Sequence, residues 1–557
     1  MPPLRGLERT LQLLRKSPNR AATKVLLASL CAPSEPARLG ALRALATRSE
    51  SSAQDELLAA LSDAPTDVRD AANDPQIAKR LRMSVVNALE GSDPTLVKRA
   101  CRYAVDAELL VVIPTLIEQS TDPEQSYHVG LSTAALKLCR VMAHRLQNKE
   151  PSAAAGGTDP AFYRTTTLQR LIEAADKFAE HQRLELVEAL LLVTTRDNSR
   201  LLQMLRTDGH ACQQALTETL TKSPSFGALD LLSNALIDND SPKRLVKIAC
   251  QRTDKPFLSR LADNLGYPLG ARAREKASAI KSFAWMKPEQ REVVLSLTSS
   301  QQSALVALAS ATAGTVRDRL GFVKFVLQRG ADKGRVAACH LLREYKSPQV
   351  SILLQAALED QSPGVVAAAA RQLRSQKTSA ADVVLIGLLD HPAEEVRRAA
   401  QDELHELNLA AYRKLYSKLT EASRRIAGRL VARADPDAKG QLEAELRHPT
   451  VRQRLDSLAM IDSMGLADEL NESLAEALSD KDVGVRVEAA RLLGVTTSVT
   501  STVYSALTQA AEDSNQAVRT AVQKSLDAIQ SLDLAEDLIA HLQDEFPAGD
   551  ADQEEDE

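Results

Sequence analysis

The chain has few aromatic residues and no long apolar run. Phe, Tyr and Trp make up 3% of its 557 residues, and runs of alternating Val, Ile and Thr, which are typical of strands, are absent. Ala and Leu are abundant, and 26% of the residues are charged. No stretch approaches the roughly 18 apolar residues that a membrane span needs. The composition therefore predicts an all-α fold and no membrane partner.

Cysteines are also sparse, and they are far apart. No two of the six are closer than 38 residues, which matches neither a zinc site nor a disulfide framework. The first ten residues contain no apolar segment of a secretory signal. We therefore expect reduced, buried thiols in a cytoplasmic protein. The cysteines are Cys31, Cys101, Cys139, Cys212, Cys250 and Cys339.

Known catalytic motifs are missing as well. The sequence has no Gly-rich phosphate loop, Gly-x-Ser-x-Gly, His-Glu-x-x-His or Cys-x-x-Cys. The nearest approaches to a metal-ligand cluster are His181 with Glu185, and His405 beside Glu403 and Glu406. Neither has a second His at helical spacing, so we interpret both as solvated polar faces. We predict no catalytic residue, no cofactor and no metal, and hence a protein that is not an enzyme.

What the sequence does contain is a repeated unit. Residues 474–493 have the pattern of a helix, an Asp-marked turn and a second helix that opens on Val485 and Arg486. Within residues 37–130 and 334–518, similar openings recur every 29 to 34 residues. The one exception is a step of 55 residues from Val396 to Val451, which indicates a degenerate unit or an insertion near 405–450. Such a period is typical of an α-solenoid, in which each unit packs only on its neighbours. The openings are Ala37, Val68, Val97, Gly130, Gly334, Val365, Val396, Val451, Val485 and Val518.

Charged residues recur in step with this unit. An Asp often stands five residues before the opening position, and an Arg often follows it. Asp is suited to the turn because its carboxylate accepts unpaired backbone N–H groups. The Arg column is either a phosphate-binding stripe or, as we favour, a structural ladder paired with turn Asp residues. The predicted ladder residues are Asp63, Asp360, Asp480, Asp513, Arg69, Arg397, Arg486 and Arg519.

These patterns resemble a known repeat family. The runs at 480–489, 390–400 and 513–519 are similar to HEAT repeats of the short bacterial, PBS-lyase type. The resemblance covers about 37–140 and 334–530. It implies a superhelix of stacked helix pairs and a scaffold for protein partners, but the repeat alone implies no activity. Two groups of HEAT-like enzymes, alkylpurine DNA glycosylases and phycobilin lyases, resemble the chain in scaffold only.

The repeat phase and the composition divide the chain into five parts. The repeat phase is lost in the middle of the chain, although helical patterns persist there, and the last eight residues include six acids. We predict N-terminal repeats over 1–147, a linker at 148–160, irregular helical repeats over 161–330, C-terminal repeats with a capping helix over 331–545, and a disordered acidic tail at 546–557.

Two segments are strongly basic. Residues 243–281 hold ten basic and three acidic residues, and residues 397–433 hold nine and four. Cations on one face neutralise phosphates or an acidic protein, and nearby aromatic rings stack on bases. A solvated polar face is the simpler interpretation. The candidate binding residues are Arg244, Lys247, Arg272, Arg274, Lys276, Arg397, Arg398, Tyr412, Tyr416, Arg424 and Arg425.

Together these features favour a cytoplasmic, non-enzymatic scaffold or adaptor that binds a protein partner along an extended concave surface. The alternative is a nucleic-acid-associated protein that contacts the phosphate backbone through 243–281 and 397–433. An enzyme built on the repeat scaffold, lyase-like or glycosylase-like, is the third hypothesis.

Overall fold

The computed structural model describes residues 5–148, 160–196, 198–238, 240–377 and 380–545, and every regular element in them is helical. The predicted all-α solenoid is confirmed: within each unit, helices pack mainly on helices one or two places away along the chain. Contacts divide the chain into a first unit, residues 1–338, and a second unit, residues 339–557. Most of the predicted linker and the whole acidic tail lie outside the described residues.

Most of the described connections between helices of the first unit are short. Four short 3-10 helices, over 110–112, 284–286, 291–296 and 342–344, occur among the described residues of the two units. The α-helices are α1 (Arg5–Lys16), α2 (Arg20–Ser29), α3 (Glu35–Ala46), α4 (Ser51–Leu61), α5 (Thr66–Ala72), α6 (Pro75–Glu90), α7 (Pro94–Asp106), α8 (Ile113–Thr121), α9 (His128–Asn148), α10 (Pro160–Asp176), α11 (Phe178–His181), α12 (Leu184–Val193), α13 (Ser199–Arg206), α14 (Gln213–Lys222), α15 (Phe226–Asn234), α16 (Lys243–Gln251), α17 (Lys255–Leu265), α18 (Ala271–Ser278), α19 (Ser299–Ser310), α20 (Val316–Arg329) and α21 (Asp332–Leu341), the last of which ends in the second unit.

The second unit continues as helix pairs. Its helices are α22 (Pro348–Leu358), α23 (Pro363–Ala370), α24 (Ala381–Leu388), α25 (Glu394–Glu403), α26 (Leu409–Tyr416), α27 (Glu421–Ala434), α28 (Ala438–Leu446), α29 (Val451–Met464), α30 (Asn471–Ala477), α31 (Val483–Leu493), α32 (Ser501–Ala510) and α33 (Gln516–Glu545). The predicted capping helix is therefore the C-terminal part of α33 rather than a separate element.

Local sequence sets the helix ends. Asp93 accepts a hydrogen bond from the Thr95 N–H at 2.9 Å, and Pro94 occupies the first helical position, where no N–H is needed. Asp482 caps α31 in the same way, through the Val485 N–H. At the other end, α29 stops at Gly465, whose φ of 72° lies in the left-handed region that favours glycine.

The predicted apolar face is present in the last repeats. Val485, Ala489 and Leu493 lie four residues apart along α31, and none of them is exposed to solvent. They belong to a core that also contains Leu474 of α30 and Val503 of α32. Small residues at every fourth position let neighbouring helices approach closely, as the sequence pattern implies.

The opening predicted at Val451 is wrong. Val451 is 36% exposed, because it is only the first residue of α29. The buried face of that helix contains Arg454, Leu458 and Ile461 instead. In both α29 and α31 the turn arginine lies three residues after the helix start, at Arg454 and Arg486, so the position equivalent to Val485 is Gln453 and the predicted register is two residues early.

A helix pair, α26 and α27, occupies the out-of-period stretch, so the long step contains the degenerate unit. Gly428 explains part of its divergence from the repeat. A Cβ at this position would lie 2.5 Å from the backbone oxygen of Ser463, so α27 and α29 pack too closely there for a side chain. The repeat that opens at Val68 lacks the Leu expected eight residues later and has Gln76 there. The reason is local: α5 ends at Ala72, and Gln76 belongs to the next helix.

All six cysteines lie in the described residues, and all are unpaired. Burial raises the pKa of the Cys101, Cys139 and Cys339 thiols to about 12, so they remain protonated and unreactive at neutral pH. The prediction of burial is wrong for Cys31, which is exposed just after α2.

We expect Leu493→Asp to lower the melting temperature sharply, because it places a carboxylate in the core between repeats. Val495→Asp is the matched control, since Val495 is 59% exposed two residues away. Thermal unfolding followed by circular dichroism compares the two variants. Wild-type melting of the Leu493→Asp variant would contradict the repeat register described above.

Candidate functional site

Polar side chains tie each helix pair to its neighbour through the carbonyls at helix ends. The Tyr103 hydroxyl donates to the Ala72 oxygen at 2.8 Å, and the buried Arg252 guanidinium donates to Leu220 and Ser223 oxygens at 2.9 and 2.8 Å. The last four carbonyls of a helix lack intrahelical partners. Inside a stack, water does not reach many of them, so a neighbouring side chain supplies the bond.

The same arrangement recurs along both units. In each case the donor and the acceptor are 29 to 40 residues apart, about one repeat, and the acceptor lies in or just after the last turn of a helix. The donor and acceptor pairs are Arg48 to Ser17, Arg99 to Ala59, Gln125 to Gly91, Arg164 to Val193, Gln372 to Cys339, Arg374 to Glu403, Gln401 to Arg433 and Ser525 to Ala490.

A second set of arginines closes the turns. Arg486 Nη1 donates to the Asp480 oxygen of its own turn at 2.9 Å, and its Nε donates to Asp513 Oδ2 of the next turn at 2.8 Å. Arg454 contacts Asp480 Oδ1 at 2.8 Å in the same way, and Arg38 contacts Asp67 at 2.7 Å. One guanidinium thus joins two successive turns.

The predicted ladder residues take different positions. Arg486 contacts Asp513, and Asp480 contacts Arg454. Arg397 and Arg519 donate to carbonyls of their own turns, Arg69 donates to the Thr66 hydroxyl, and Asp63 pairs with Arg99. Asp360 accepts a hydrogen bond from the Ser362 N–H.

The sequence interpretation missed Arg454. This residue lies six positions after the turn carbonyl that it binds, that of His448, and Arg486 and Arg38 show the same spacing to Asp480 and Ala32. That six-residue spacing identifies the turn arginine in the sequence. The position directly after the first apolar residue of the helix does not identify it in α29.

The turn arginines also change the acidity of their partners. The hydrogen bond from Arg486 holds the pKa of Asp513 below its ordinary value, with help from the Asn515 N–H. The guanidinium of Arg38 does the same for Asp67. Both carboxylates therefore stay ionised, and paired, at any pH above their unfolded pKa values.

Some cations of the basic segment 243–281 form hydrogen bonds and ion pairs within the helical stack. Arg252 is 5% exposed and binds Asp254 as well as the carbonyls named above. Arg260 pairs with Asp230 at 2.5 Å and lies over the Phe226 ring. Arg244 pairs with Asp208 at 2.7 Å, and Lys276 donates to the Asp238 oxygen at 3.1 Å.

The remaining cations of this segment are exposed on α16 to α18 and their connections, which we call the α16–α18 surface. They form no side-chain hydrogen bond or ion pair with the residues described in the structure. These residues are Lys243, Lys247, Lys255, Arg272, Arg274 and Lys281. Of the nearby aromatic rings, Phe257 and Trp285 are fully buried and Tyr267 is 43% exposed.

The aromatic residues of segment 397–433 belong to the packing between helices. Tyr412 is 3% exposed, and its hydroxyl lies 2.8 Å from the Arg424 oxygen and 2.9 Å from Ser463 Oγ. Arg424 lies over the Tyr416 ring, 4.3 Å from its centroid, and donates to the Tyr416 oxygen. Tyr412 is thus buried and Tyr416 and Arg424 are half-buried; a binding role for these residues stays a prediction.

Most of the other cations of that segment are paired within the second unit. Arg398 and Arg425 form ion pairs with Glu394 and Glu421 one helical turn earlier. Other basic residues contact more distant parts of the chain, as Arg413 does with Glu445 at 2.6 Å. Exposed Lys414 and Lys418 have no such partner among the described residues.

The described ranges contain no group of three or more His, Cys, Asp and Glu side chains placed to hold a metal ion. His181 Nε2 donates to the Ala174 oxygen, 2.9 Å away, and the pKa of His181 is lowered chiefly by burial. Among the helices that the structure describes, none combines the length and apolar character needed to cross a membrane.

A family model of HEAT repeats matches residues 321–405 and 471–550. The match confirms the family resemblance for these two segments; the resemblance of 37–140 and the short bacterial subtype stay predictions. Among solved structures, the chain is similar to Kap121p bound to Ste12p, with 12% identity, a TM-score of 0.26 and coverage of 98% of this chain and 58% of that one. For Kap121p bound to Nup53p the values are 11%, 0.25, 98% and 55%. The chain thus spans little more than half of the Kap121p chain in either structure. No curated protein matches the sequence.

We expect Arg454→Ala to lower the free energy of unfolding of its cooperative unit by about 2 kcal/mol, because it removes charge-assisted hydrogen bonds at a site where both partners are nearly buried. Arg452→Ala, an exposed change on the same helix, should cost less than about 0.5 kcal/mol. Urea unfolding measures both. Equal effects of the two variants would show that Arg454 does not join the turns.

The lowered pKa of Asp513 predicts a pH dependence. Its contribution to stability is complete above the unfolded pKa of about 3.9 and is lost as the pH falls through the lower, folded value. Asp513→Asn should therefore melt below wild type at pH 6, and the gap should close towards pH 3. Melting curves across this range test the prediction, and a constant gap would exclude the ionised pair as its source.

Proposed function

We propose that the chain is a non-enzymatic HEAT-repeat scaffold that binds an acidic protein partner through the α16–α18 surface. The observation that supports this most directly is that six cations there are exposed without a partner, while the four others of the same segment serve the stack. Uncompensated charge on a rigid repeat attracts and orients a partner of opposite charge. The location in the cytoplasm remains a prediction.

A protein partner fits this surface better than single-stranded nucleic acid does. Sequence-tolerant binding of single strands relies on aromatic rings that stack on the bases. Of the three rings in and beside segment 243–281, Phe257 and Trp285 are fully buried, and Tyr267 is 43% exposed, so the surface offers a single ring. Contact with a phosphate backbone remains as the second candidate function, because Arg272, Arg274 and Lys247 would serve it equally well.

We expect Arg272→Glu with Arg274→Glu to abolish capture of protein partners from native lysate, whether or not nuclease is present, because it reverses the charge at the centre of the surface. Lys414→Glu with Lys418→Glu is the matched control: it makes the same change of charge on exposed, unpaired residues elsewhere. Captured proteins are identified by mass spectrometry with each full-length variant.

The outcomes separate the two candidate functions. Partners that resist nuclease, persist with the control and disappear with the α18 variant support the protein scaffold. Partners that disappear with nuclease, together with binding of purified nucleic acid that weakens steeply with salt, would replace it with the nucleic-acid function. Equal capture by both variants would place the binding surface elsewhere.

A further inference from the structure

The second unit contains a basic pocket that neither the repeat nor the proposed scaffold function uses. Its volume is about 980 Å³, within the range of small-molecule sites. It is formed where the end of α21 and the N-terminus of α22 face the segment after α23. The charged and buried polar residues that line it are His340, Arg343, Lys346, Arg371, Gln372 and Lys377.

The charge of this pocket is uncompensated. Arg343, Lys346, Arg371 and Lys377 are exposed, and no lining residue is acidic. The nearest ion pair is a long one, 4.0 Å from Arg371 to Asp402. Burial lowers the pKa of His340, and the nearby charges of Arg371 and Arg343 lower it further.

Backbone geometry adds to this positive potential. Ser347 caps the 11-residue helix α22, and Ser347, Pro348 and Ser351 from its first turn line the pocket. The N-terminus of a helix carries partial positive charge, which favours phosphate. Here Pro348 has no N–H and the Gln349 and Val350 N–H groups donate to Ser347, so this helix end contributes its dipole and not free donors. The charged side chains and the helix end therefore favour the same kind of ligand.

A buried amide that lines the pocket has an oxygen without a protein partner. Gln372 is 4% exposed; its Nε2 donates to the Cys339 and Ala368 oxygens at 2.7 and 3.1 Å, whereas its Oε1 has no hydrogen-bond partner. A buried acceptor without a partner is unfavourable. A ligand that brings a hydroxyl or amino donor along with its negative charge would satisfy it.

We propose that this pocket binds a compact polyphosphate of at least three phosphates. Four cations grouped around one cavity match such an anion in charge and extent, and an extended nucleic-acid strand would need a groove with cations spread along it. The unpaired Gln372 oxygen favours a nucleoside triphosphate over a bare inorganic chain, because only the former carries hydroxyl and amino donors.

Calorimetric titration of the full chain with ATP and, separately, with sodium tripolyphosphate at constant ionic strength tests the proposal. We expect saturable binding at one site. Arg343→Gln with Arg371→Gln should weaken it on the order of 100-fold, since each charge-assisted hydrogen bond lost is worth about tenfold. Lys414→Gln with Lys418→Gln, which removes two exposed charges outside the pocket, should leave it unchanged.

Further control variants and a comparison of the two ligands separate the possible causes of a change in affinity. Arg343→Lys with Arg371→Lys should retain most of the affinity, and equal melting temperatures would show that the glutamine variant is folded. Tighter binding of ATP assigns the pocket to nucleotides, and equal binding assigns it to the polyphosphate chain alone. Absence of saturable binding, or equal losses in the pocket and control variants, would overturn the proposal. The pocket residues are not those of the α16–α18 surface. The polyphosphate proposal therefore fails or succeeds independently of the proposed scaffold function.

Discussion

The need to pair the carbonyls at buried helix ends governs this molecule. A stack of short helices has a helix end every dozen residues or so, and each end leaves carbonyls without intrahelical partners. Here a side chain from the adjacent pair reaches across to many of them, as Arg252 does to Leu220 and Tyr103 does to Ala72. Apolar packing holds the pairs together, but these hydrogen bonds specify how one pair sits on the next.

This requirement also determines what the charged residues are available to do. Arg252 and Arg260 in one basic segment, and Arg413 and Arg424 in the other, are engaged within the fold. Counting basic residues along the sequence therefore overstates the charge that a partner meets. In segment 243–281 the charge that remains after this subtraction lies on the α16–α18 surface, and the pocket beside α22 holds four further exposed cations, which is why the two proposals rest on those places.

The sequence permitted a good prediction of the architecture and a poor one of the surface. Helix pairs, their period and the buried face of Val485, Ala489 and Leu493 follow from spacing alone, because a core face must repeat with the helix. Whether Tyr412 is buried or exposed could not be predicted from the sequence. An aromatic residue among cations gives the same sequence pattern whether it packs into the core or faces solvent. The pocket around Gln372 joins residues from three elements, so no local motif marks it.

Hydrogen exchange of an Arg252→Met variant tests the central claim most directly. Methionine keeps much of the buried volume but cannot donate to the Leu220 and Ser223 carbonyls. If the ties between neighbouring pairs hold the stack, amide exchange should accelerate by about tenfold or more in α14 and α16 and stay unchanged in remote helices. Unchanged protection in α14 and α16 would contradict the account and would leave apolar packing as sufficient to order the repeats.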